Sequence, residues 1–514
     1  MSRWTWLLLI PLVYLALLSP GAALAEGNGQ EDLDEALRSK VTAEDLRDLN
    51  KVIELLESAI DKGLDVENSD FAEQMLAESL LQRGGQLTAV VRNLPPQNLA
   101  DPQIQRVRAL AVSDLRHVLM YDNPPVQAKI MLAQVLALPG GDQPESLRLL
   151  EEVMADEAFA LLPPDGQIET YVLQADILRQ EEKFDQALAG LAKAIELDPK
   201  APEAYQERGE IFRAQEKYPE AIVEFDRVLE LEPGALLTLI HRAEAHLNNQ
   251  QSDEALKDIE QVLKDNPGLA LAHGLRAQAL ASEDRLPEAI DEMKRLAEAA
   301  PQQPEFGMQL AMYYIINKQP RQAIDAYTSV LQHNADNFMA LRGRADLYLN
   351  IGDHAAAIAD FEKALKVESD DPYILNNFAW VLATSPEDAL RDGKRAVGLA
   401  TKAAELSEFK QAHILSTLAA AHAESGDFAK AREWSQKAVD LNDPDHIDQL
   451  KKELESYQQD KPWREKQTEA DENKDEKSAK DPADELAPKS EGAESDDDSG
   501  DAPSTAESAK PVEP

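Results

Sequence analysis

A spacing of 34 residues recurs along the middle of this chain. Alanine returns at this interval six times, at Ala187, Ala221, Ala255, Ala289, Ala323 and Ala357. Four prolines keep the same interval, namely Pro199, Pro233, Pro267 and Pro301. A period that holds over six units is the signature of a repeat array, in which each unit is a small supersecondary structure that stacks on its neighbours.

Each unit has the hydrophobic spacing of two helices. In residues 205–233, apolar or small residues recur three or four positions apart, at Tyr205, Gly209, Phe212, Ala221, Phe225 and Val228. Pro219 follows a short polar turn, and Pro233 ends the unit because proline cannot continue a helix. Small residues let antiparallel helices approach closely, so we expect Gly209 and the six alanines to pack at helix crossings.

The order of these residue types resembles the tetratricopeptide repeat. With Pro202 as position 1 of its unit, the aromatic, small, alanine-like and proline positions are 4, 8, 11, 20, 24, 27 and 32. The resemblance implies an all-α fold, a right-handed α-solenoid of helix pairs, with about eight repeats in residues 166–443. The fifth unit has Ala335 instead of the closing proline, and the sixth closes late, at Pro372. The seventh has about five additional residues around Ser385.

The segments beside the array have helical character with less regular spacing. Residues 46–165 are predicted to be a divergent helical region of similar repeats, interrupted at Gly84-Gly85 and at other glycine and proline pairs. A separate helical domain is the alternative. Residues 444–464 are predicted to form a capping helix for the last hydrophobic face, and residues 26–45 a linker.

The first 25 residues have the pattern of a signal peptide. Arg3 precedes an apolar run over residues 6–18, and Ala23-Leu24-Ala25 has the small-x-small pattern of a cleavage site. An uncleaved membrane anchor is the alternative, and contact with a membrane is expected only in that case. The apolar run is interrupted by Pro11 and is shorter than the ~20 residues that a span requires.

The last 50 residues and the body are both acidic. Residues 465–514 contain 17 acidic residues, six lysines and no aromatic residue, so we predict a disordered acidic tail. Of the net charge of −44, the tail accounts for −11 and residues 26–464 for −34. Such a charge argues against binding to nucleic acid. The absence of cysteine excludes disulfides, thiolate metal sites and a cysteine-linked lipid anchor.

Four units carry an arginine at position 7 and an acid at position 23. The pairs are Arg208 with Glu224, Arg242 with Asp258, Arg276 with Glu292 and Arg344 with Asp360. In the helical hairpin, positions that face each other sum to about 28, and 7 and 23 come close to this value. We therefore predict one ion pair between the two helices of each of these repeats. An arginine ladder for ligand carboxylates is the alternative.

The sequence contains no pattern typical of an enzyme. It has no glycine-rich phosphate loop and no nucleophile elbow. His241 and His246 are five apart on one helix, which does not place them on one face, and no acid stands at metal-ligand spacing. We therefore predict no catalytic residue, no metal and no cofactor.

The resemblance also implies a binding groove, because positions 2, 5, 9 and 12 of each unit face the concave side in this family. Transferred to this sequence, they predict an acidic end and an apolar middle, with candidate residues Asp176, Arg179, Glu210, Arg213, Ile240, Glu244, Gln278, Met308, Met312, Arg342 and Asp346. Chaperone-binding members hold a peptide carboxylate with Lys at position 5 and Asn at position 9. Neither residue occurs there in the six regular units, so that partner is disfavoured.

We therefore expect a non-catalytic scaffold or adaptor that binds a protein or peptide, with a basic or amphipathic segment in the groove. It is expected to be exported, either periplasmic or secreted, in a bacterial cell envelope. Two alternatives stay open. One is a structural or assembly factor of the cell envelope, and the other is a non-catalytic subunit of a glycosyltransferase-type complex.

Overall fold

The computed structural model describes residues 29–43 and 45–465. The predicted signal segment lies outside the described residues, and so does the predicted tail apart from Glu465. The chain divides into two compact units, Met1–Gln322 and Ala323–Pro514, each with its own packed helices.

Every regular element in the described part of the chain is helical, which confirms the predicted all-α class. The first unit contains α1 Gly29–Thr42, α2 Leu46–Lys62, α3 Val66–Arg92, α4 Pro102–Val118, α5 Val126–Ala137, α6 Gln143–Ala155, α7 Pro164–Gln180, α8 Phe184–Leu197, α9 Pro202–Ala214, α10 Tyr218–Leu231, α11 Leu236–Asn248, α12 Ser252–Asp265, α13 Ala270–Ser282, α14 Leu286–Ala299 and α15 Pro304–Ile316. The second unit begins within α16 Pro320–His333 and continues with α17 Phe338–Asn350, α18 His354–Val367, α19 Pro372–Thr384, α20 Gly393–Leu406, α21 Ala412–Glu424, α22 Phe428–Asp440 and α23 Ile447–Gln458. Within each unit the helices pack as consecutive pairs, such as α9 with α10 and α17 with α18.

The turn inside each repeat has a constant backbone conformation. Five residues that are not glycine have φ of 58–59° at 34-residue spacing, namely Glu182, Glu216, Gln250, Asp284 and Lys318. Gly352 occupies the sixth such position, with φ 81°. The next N–H donates to a carbonyl five residues back, as from Lys217 to Phe212 at 2.9 Å. This Schellman pattern ends the first helix of the repeat and directs the chain into the second.

The two helices of a repeat cross at fully buried small residues. All six alanines of the 34-residue series have no exposed surface. At Gly209 in α9, an added Cβ would lie 2.5 Å from Cε1 of Phe225 in α10. Real Cβ atoms essentially never show such a distance, so alanine at this position would require the Phe225 ring to shift. Gly209 and Ala221 therefore lie at the crossing for which the sequence predicted them.

The linker predicted for residues 26–45 is wrong, because α1 occupies most of this segment and packs against α2. Leu33 and Ala36 are buried in this contact, and Leu37 is half-buried beside them. Their spacing of three and four residues is that of an amphipathic helix. Because acidic residues stand between them, the sequence analysis did not recognise this short apolar face.

The interruption predicted at Gly84-Gly85 is also wrong, since both glycines lie inside the 27-residue helix α3. An added Cβ on Gly84 would lie 2.9 Å from Cγ of Leu115 in α4. An added Cβ on Gly85 would lie 3.1 Å from Sδ of Met131 in α5. The glycines therefore allow close helix contacts and do not end a helix.

The irregular repeats near the C-terminus are helical too. The additional residues after Ser385 form a short 3₁₀ turn, Asp388–Leu390, between α19 and α20. The predicted cap contains α23, which packs on α22 and buries Leu450 and Tyr457. The N–H of Glu465 donates to the carbonyl of Thr384 at 3.0 Å, so the packed part extends one residue into the predicted tail. The domain boundaries predicted at residues 165 and 443 stay predictions.

Replacing Gly209 by alanine tests the helix crossing. We expect Gly209→Ala to destabilise the protein by about 1–3 kcal/mol, because the added methyl group overlaps the ring of Phe225. Gly274→Ala in α13 is the matched control, since nothing lies within 4 Å of its added Cβ. There the better helix propensity of alanine should stabilise by up to about 1 kcal/mol. Urea unfolding measures the change in the free energy of unfolding for both variants. Equal changes would contradict the predicted crossing.

Candidate polypeptide-binding surface

The arginines at position 7 contact the acids at position 23. The nitrogen–oxygen contacts are Arg208 with Glu224 at 2.7 Å, Arg242 with Asp258 at 2.8 Å, Arg344 with Asp360 at 2.7 Å, and Arg276 with Glu292. All four acids are buried. A guanidinium group held by a buried carboxylate of its own repeat is not free for a ligand carboxylate, so the geometry favours a structural role.

Arg242 has one buried and one exposed partner. Its Nε donates to Asp258 Oδ2 at 2.8 Å within the repeat. Its Nη1 donates to Asp226 Oδ1, on the second helix of the preceding repeat, at 2.6 Å. Asp258 is buried, whereas Asp226 is exposed to solvent. One guanidinium group therefore connects α10, α11 and α12.

The predicted acidic end of the groove is a network of ion pairs on α7, α9 and α11. Arg179 Nε donates to Glu207 at 2.7 Å, and the same guanidinium contacts Asp176. The second cluster joins Arg213 to Glu210 at 2.7 Å and to Glu244 at 3.5 Å. Four acidic side chains thus stand against two guanidinium groups, both of which are already engaged.

Glu207 belongs to this network although the sequence analysis did not select it. It stands at position 6 of its unit, next to the positions that the family resemblance assigns to the groove. Burial raises the pKa of Glu207 to about 7, and the nearby carboxylates Asp176 and Glu210 act in the same direction. The Arg179 guanidinium acts in the opposite direction without cancelling the effect of burial.

The apolar middle of the predicted groove is present in the first unit. A cavity of ≈ 610 Å³ lies between α13 and α15, and Gln278 and Met312 are among its lining residues. Met312 is 52% exposed, while Met308 one turn earlier is half-buried. Leu271 on α13 and Ile315 on α15 are also exposed. Five of its ten lining residues stand at positions 2, 5, 9 or 12 of their units, namely Gly274, Gln278, Ala281, Glu305 and Met312, whereas Leu271, Met308 and Ile315 do not line it.

Two candidates for the groove are not available to a partner. Ile240 is only 4% exposed and Glu210 only 8%. Helix α13 of the following repeat packs against α11, the helix that carries Ile240. Glu210 forms an ion pair with Arg213 and also contacts the ring of His241. Both residues contribute to the support of the surface, which corrects their assignment as contact residues.

The two groove candidates in the second unit, Arg342 and Asp346, are both half-buried. The guanidinium group of Arg342 lies over the ring of Tyr373, 4.1 Å from its centroid. Asp346 accepts a hydrogen bond from Asn377 at 3.1 Å, and burial raises its pKa. Neither side chain is free in the way that the sequence prediction assumed.

The residues that the structure describes contain no cluster of His, Asp and Glu that could hold a metal ion. None of the described helices combines the length and the hydropathy that a membrane span requires.

The repeat units match a known family. Its sequence model, described as tetratricopeptide repeat, matches residues 172–235, 241–304 and 308–373. These three segments consist of tetratricopeptide repeats. Such repeats generally mediate protein–protein interaction through the surface of the stacked helices, and their fold is typically non-catalytic. No curated protein matches the chain by sequence.

Solved structures of tetratricopeptide-repeat proteins are similar to parts of the chain. The C-terminal part of a repeat protein from Cytophaga hutchinsonii is 16% identical, with TM-score 0.42, over 47% of this chain and 98% of that one. A tetratricopeptide-repeat protein from Parabacteroides merdae is 17% identical, with TM-score 0.34, over 57% and 99%. MamA from Desulfovibrio magneticus is 20% identical, with TM-score 0.32, over 33% and 97%. These similarities are too low to support any statement about function.

Removal of the buried acid from the repeat around Arg242 should cost more than removal of the exposed one. Asp258→Ala leaves a largely buried guanidinium group without its main partner, at a cost of about 3 kcal/mol. Asp226→Ala removes a solvent-exposed contact of the same arginine, at a cost of about 0–1 kcal/mol. Chemical unfolding of both variants measures the difference. Equal losses would mean that burial of the pair does not determine its contribution.

Glu207 should make the stability of the tetratricopeptide array depend on pH. Its folded-state pKa of about 7 lies above the unfolded value of 4.5, so the folded state binds the proton more tightly. Stability should therefore fall as pH rises from about 4.5 to about 7. Glu207→Gln should remove this fall and be more stable than wild type at pH 8 by on the order of 1–3 kcal/mol. Thermal unfolding of wild type and Glu207→Gln at about pH 4.5 and at pH 8 measures this difference in stability. The exposed Glu203→Gln, on the same helix, is the control.

Proposed function

We propose that the protein is an exported, non-catalytic binding protein that holds a basic or amphipathic polypeptide segment on the first helices of its repeats. The observation that carries the proposal is the cavity between α13 and α15, which the exposed Met312 lines, together with the exposed apolar residues Leu271 and Ile315 on the same two helices. Exposed apolar side chains that surround a cavity are typical of a surface that a partner covers.

The charge of the neighbouring helices supports a basic partner. On α7, α9 and α11, carboxylates outnumber the guanidinium groups that engage them. The body of the chain carries a net charge of −34 by sequence. Electrostatic complementarity of this kind mainly raises the association rate and makes binding sensitive to salt.

The export part of the proposal rests on the sequence of residues 1–25. Their charged start, apolar run and Ala23-Leu24-Ala25 pattern are typical of a secretory signal. The lack of cysteine is compatible with a periplasmic or secreted location, since the array does not depend on disulfides.

Selection of peptides on the purified full-length chain tests the binding surface. We expect enrichment of peptides that combine basic and apolar residues, with affinity that falls as the salt concentration rises. Met312→Asp should weaken the best peptide at least tenfold, because it places a charge beside the apolar cavity. Val223→Asp on the second helix α10 is the matched control, since Val223 is 64% exposed and lies outside the cavity.

Two results would contradict the proposal. Equal weakening by Met312→Asp and Val223→Asp would mean that the cavity is not the binding surface. Affinity that does not change between low and high salt would contradict the electrostatic part of the proposal.

A further inference from the structure

The cavity of ≈ 610 Å³ between α13 and α15 lies where one repeat has smaller side chains than its neighbours. Gly274 and Ala281 line it from α13, at positions 5 and 12 of their unit. Nothing lies within 4 Å of a Cβ added to Gly274, so the space beside its backbone is open. The preceding and following units carry larger residues at the same two positions, namely Ile240 and Leu247, and Met308 and Ile315. Of these three units, only the one that contains Gly274 leaves both positions unfilled.

The walls of the cavity contain both thioether groups and aromatic rings. Met293 from α14 and Met312 from α15 are among the lining residues, and so are Phe306 and Tyr313 of α15. Met312 is exposed and Phe306 is half-buried, so a partner can reach both side chains. Thioether groups make favourable contacts with aromatic rings, and aromatic rings pair with one another edge to face or with an offset. These walls therefore favour an aromatic side chain over an aliphatic one.

Of the described residues that line the cavity, Glu305 alone is charged. It is exposed in the first turn of α15, and none of the Lys and Arg residues that the structure describes pairs with it. At position 9, the units before and after carry Glu244 and Asp346, whereas the two units that form the cavity have Gln278 and Met312. A cationic group beside the cavity would therefore pair with Glu305, in contact with solvent.

We propose that this cavity binds one aromatic side chain of the polypeptide partner, with a neighbouring Lys or Arg of the partner paired with Glu305. This rests on the proposed function and specifies the partner. Interfaces concentrate their binding free energy in a few anchors, and an aromatic side chain in a pocket is a typical one. Gly274 determines the specificity, because a side chain at this position would enter the space that the aromatic ring occupies.

Three tripeptides titrated into the full-length chain test the chemistry of the ligand. The first is acetyl-Lys-Phe-Lys-amide. Leucine replaces its phenylalanine in the second, and glutamate replaces both lysines in the third. We expect the first peptide to bind roughly fivefold more tightly than either of the others in calorimetric titrations at low salt. Equal affinity for the leucine peptide would overturn the aromatic assignment, and equal affinity for the glutamate peptide would overturn the pairing with Glu305.

Gly274→Leu tests the position of the aromatic ring. The added side chain occupies the open space beside α13 and should reduce the affinity for acetyl-Lys-Phe-Lys-amide by about tenfold. Gly398→Leu in α20 is the matched control, because it is the same substitution inside a helix and nothing lies within 4 Å of its added Cβ. Both variants should fold, since leucine is a better helix former than glycine. Unchanged affinity in Gly274→Leu would refute the site.

Glu305→Lys tests the charge and leaves the apolar walls of the cavity in place. We expect this variant to prefer the glutamate peptide over acetyl-Lys-Phe-Lys-amide, which reverses the preference of the wild type. Glu260→Lys is the matched control, because Glu260 is exposed on the second helix α12 and lies outside the cavity. It changes the net charge by the same amount and should keep the preference of the wild type. Equal shifts in both variants would contradict the pairing with Glu305.

The two proposals fail in different ways. If the full-length chain binds selected polypeptides that Met312→Asp weakens and Gly274→Leu does not, the inference about the aromatic side chain fails and the proposed function stands. If selection yields no polypeptide at all, the proposed function fails, while the tripeptide titrations still decide whether the cavity holds an aromatic side chain.

Discussion

The distance at which the two helices of a repeat cross determines most other contacts in the array. A fully buried alanine stands at this crossing in six successive units, and at Gly209 even a methyl group would overlap Phe225. Close approach brings position 7 of the first helix within hydrogen-bond distance of position 23 of the second. The ion pairs inside the repeats, such as Arg344 with Asp360, are therefore a consequence of the small residues.

The negative charge of the chain has different roles at different depths. Buried acids such as Asp258 are held by an arginine of the same repeat and contribute to packing. Acidic side chains on α7, α9 and α11, some of them largely buried, outnumber the arginines near them, and the field of those that are ionised would favour the proposed basic partner. In the second unit, no Lys or Arg among the described residues pairs with the buried Glu453. A polypeptide that supplies positive charge would offset the charge of the acids near the surface. It would not affect the buried acids that an arginine of the same repeat already holds.

The features that follow from the period could be predicted from the sequence, and the features that depend on stacking between repeats could not. Arg208 and Glu224 are placed by local helix geometry alone, so the sequence was sufficient for them. Ile240 is buried where the next repeat packs on its helix, and Glu207 contacts Arg179 of the preceding repeat; no single unit encodes these contacts. Helix α1 was missed because its apolar face is short.

The left-handed residue in the turn of each repeat has a consequence for how such an array can change. The same positive φ is adopted by five residues that are not glycine, namely Glu182, Glu216, Gln250, Asp284 and Lys318. Glycine would adopt this φ with less strain. The packing of the helix pair, and not the chemistry of the turn residue, therefore imposes the conformation of the joint. A whole unit can then be duplicated, lost or exchanged in evolution without a new joint, because both of its ends already fit those of its neighbours.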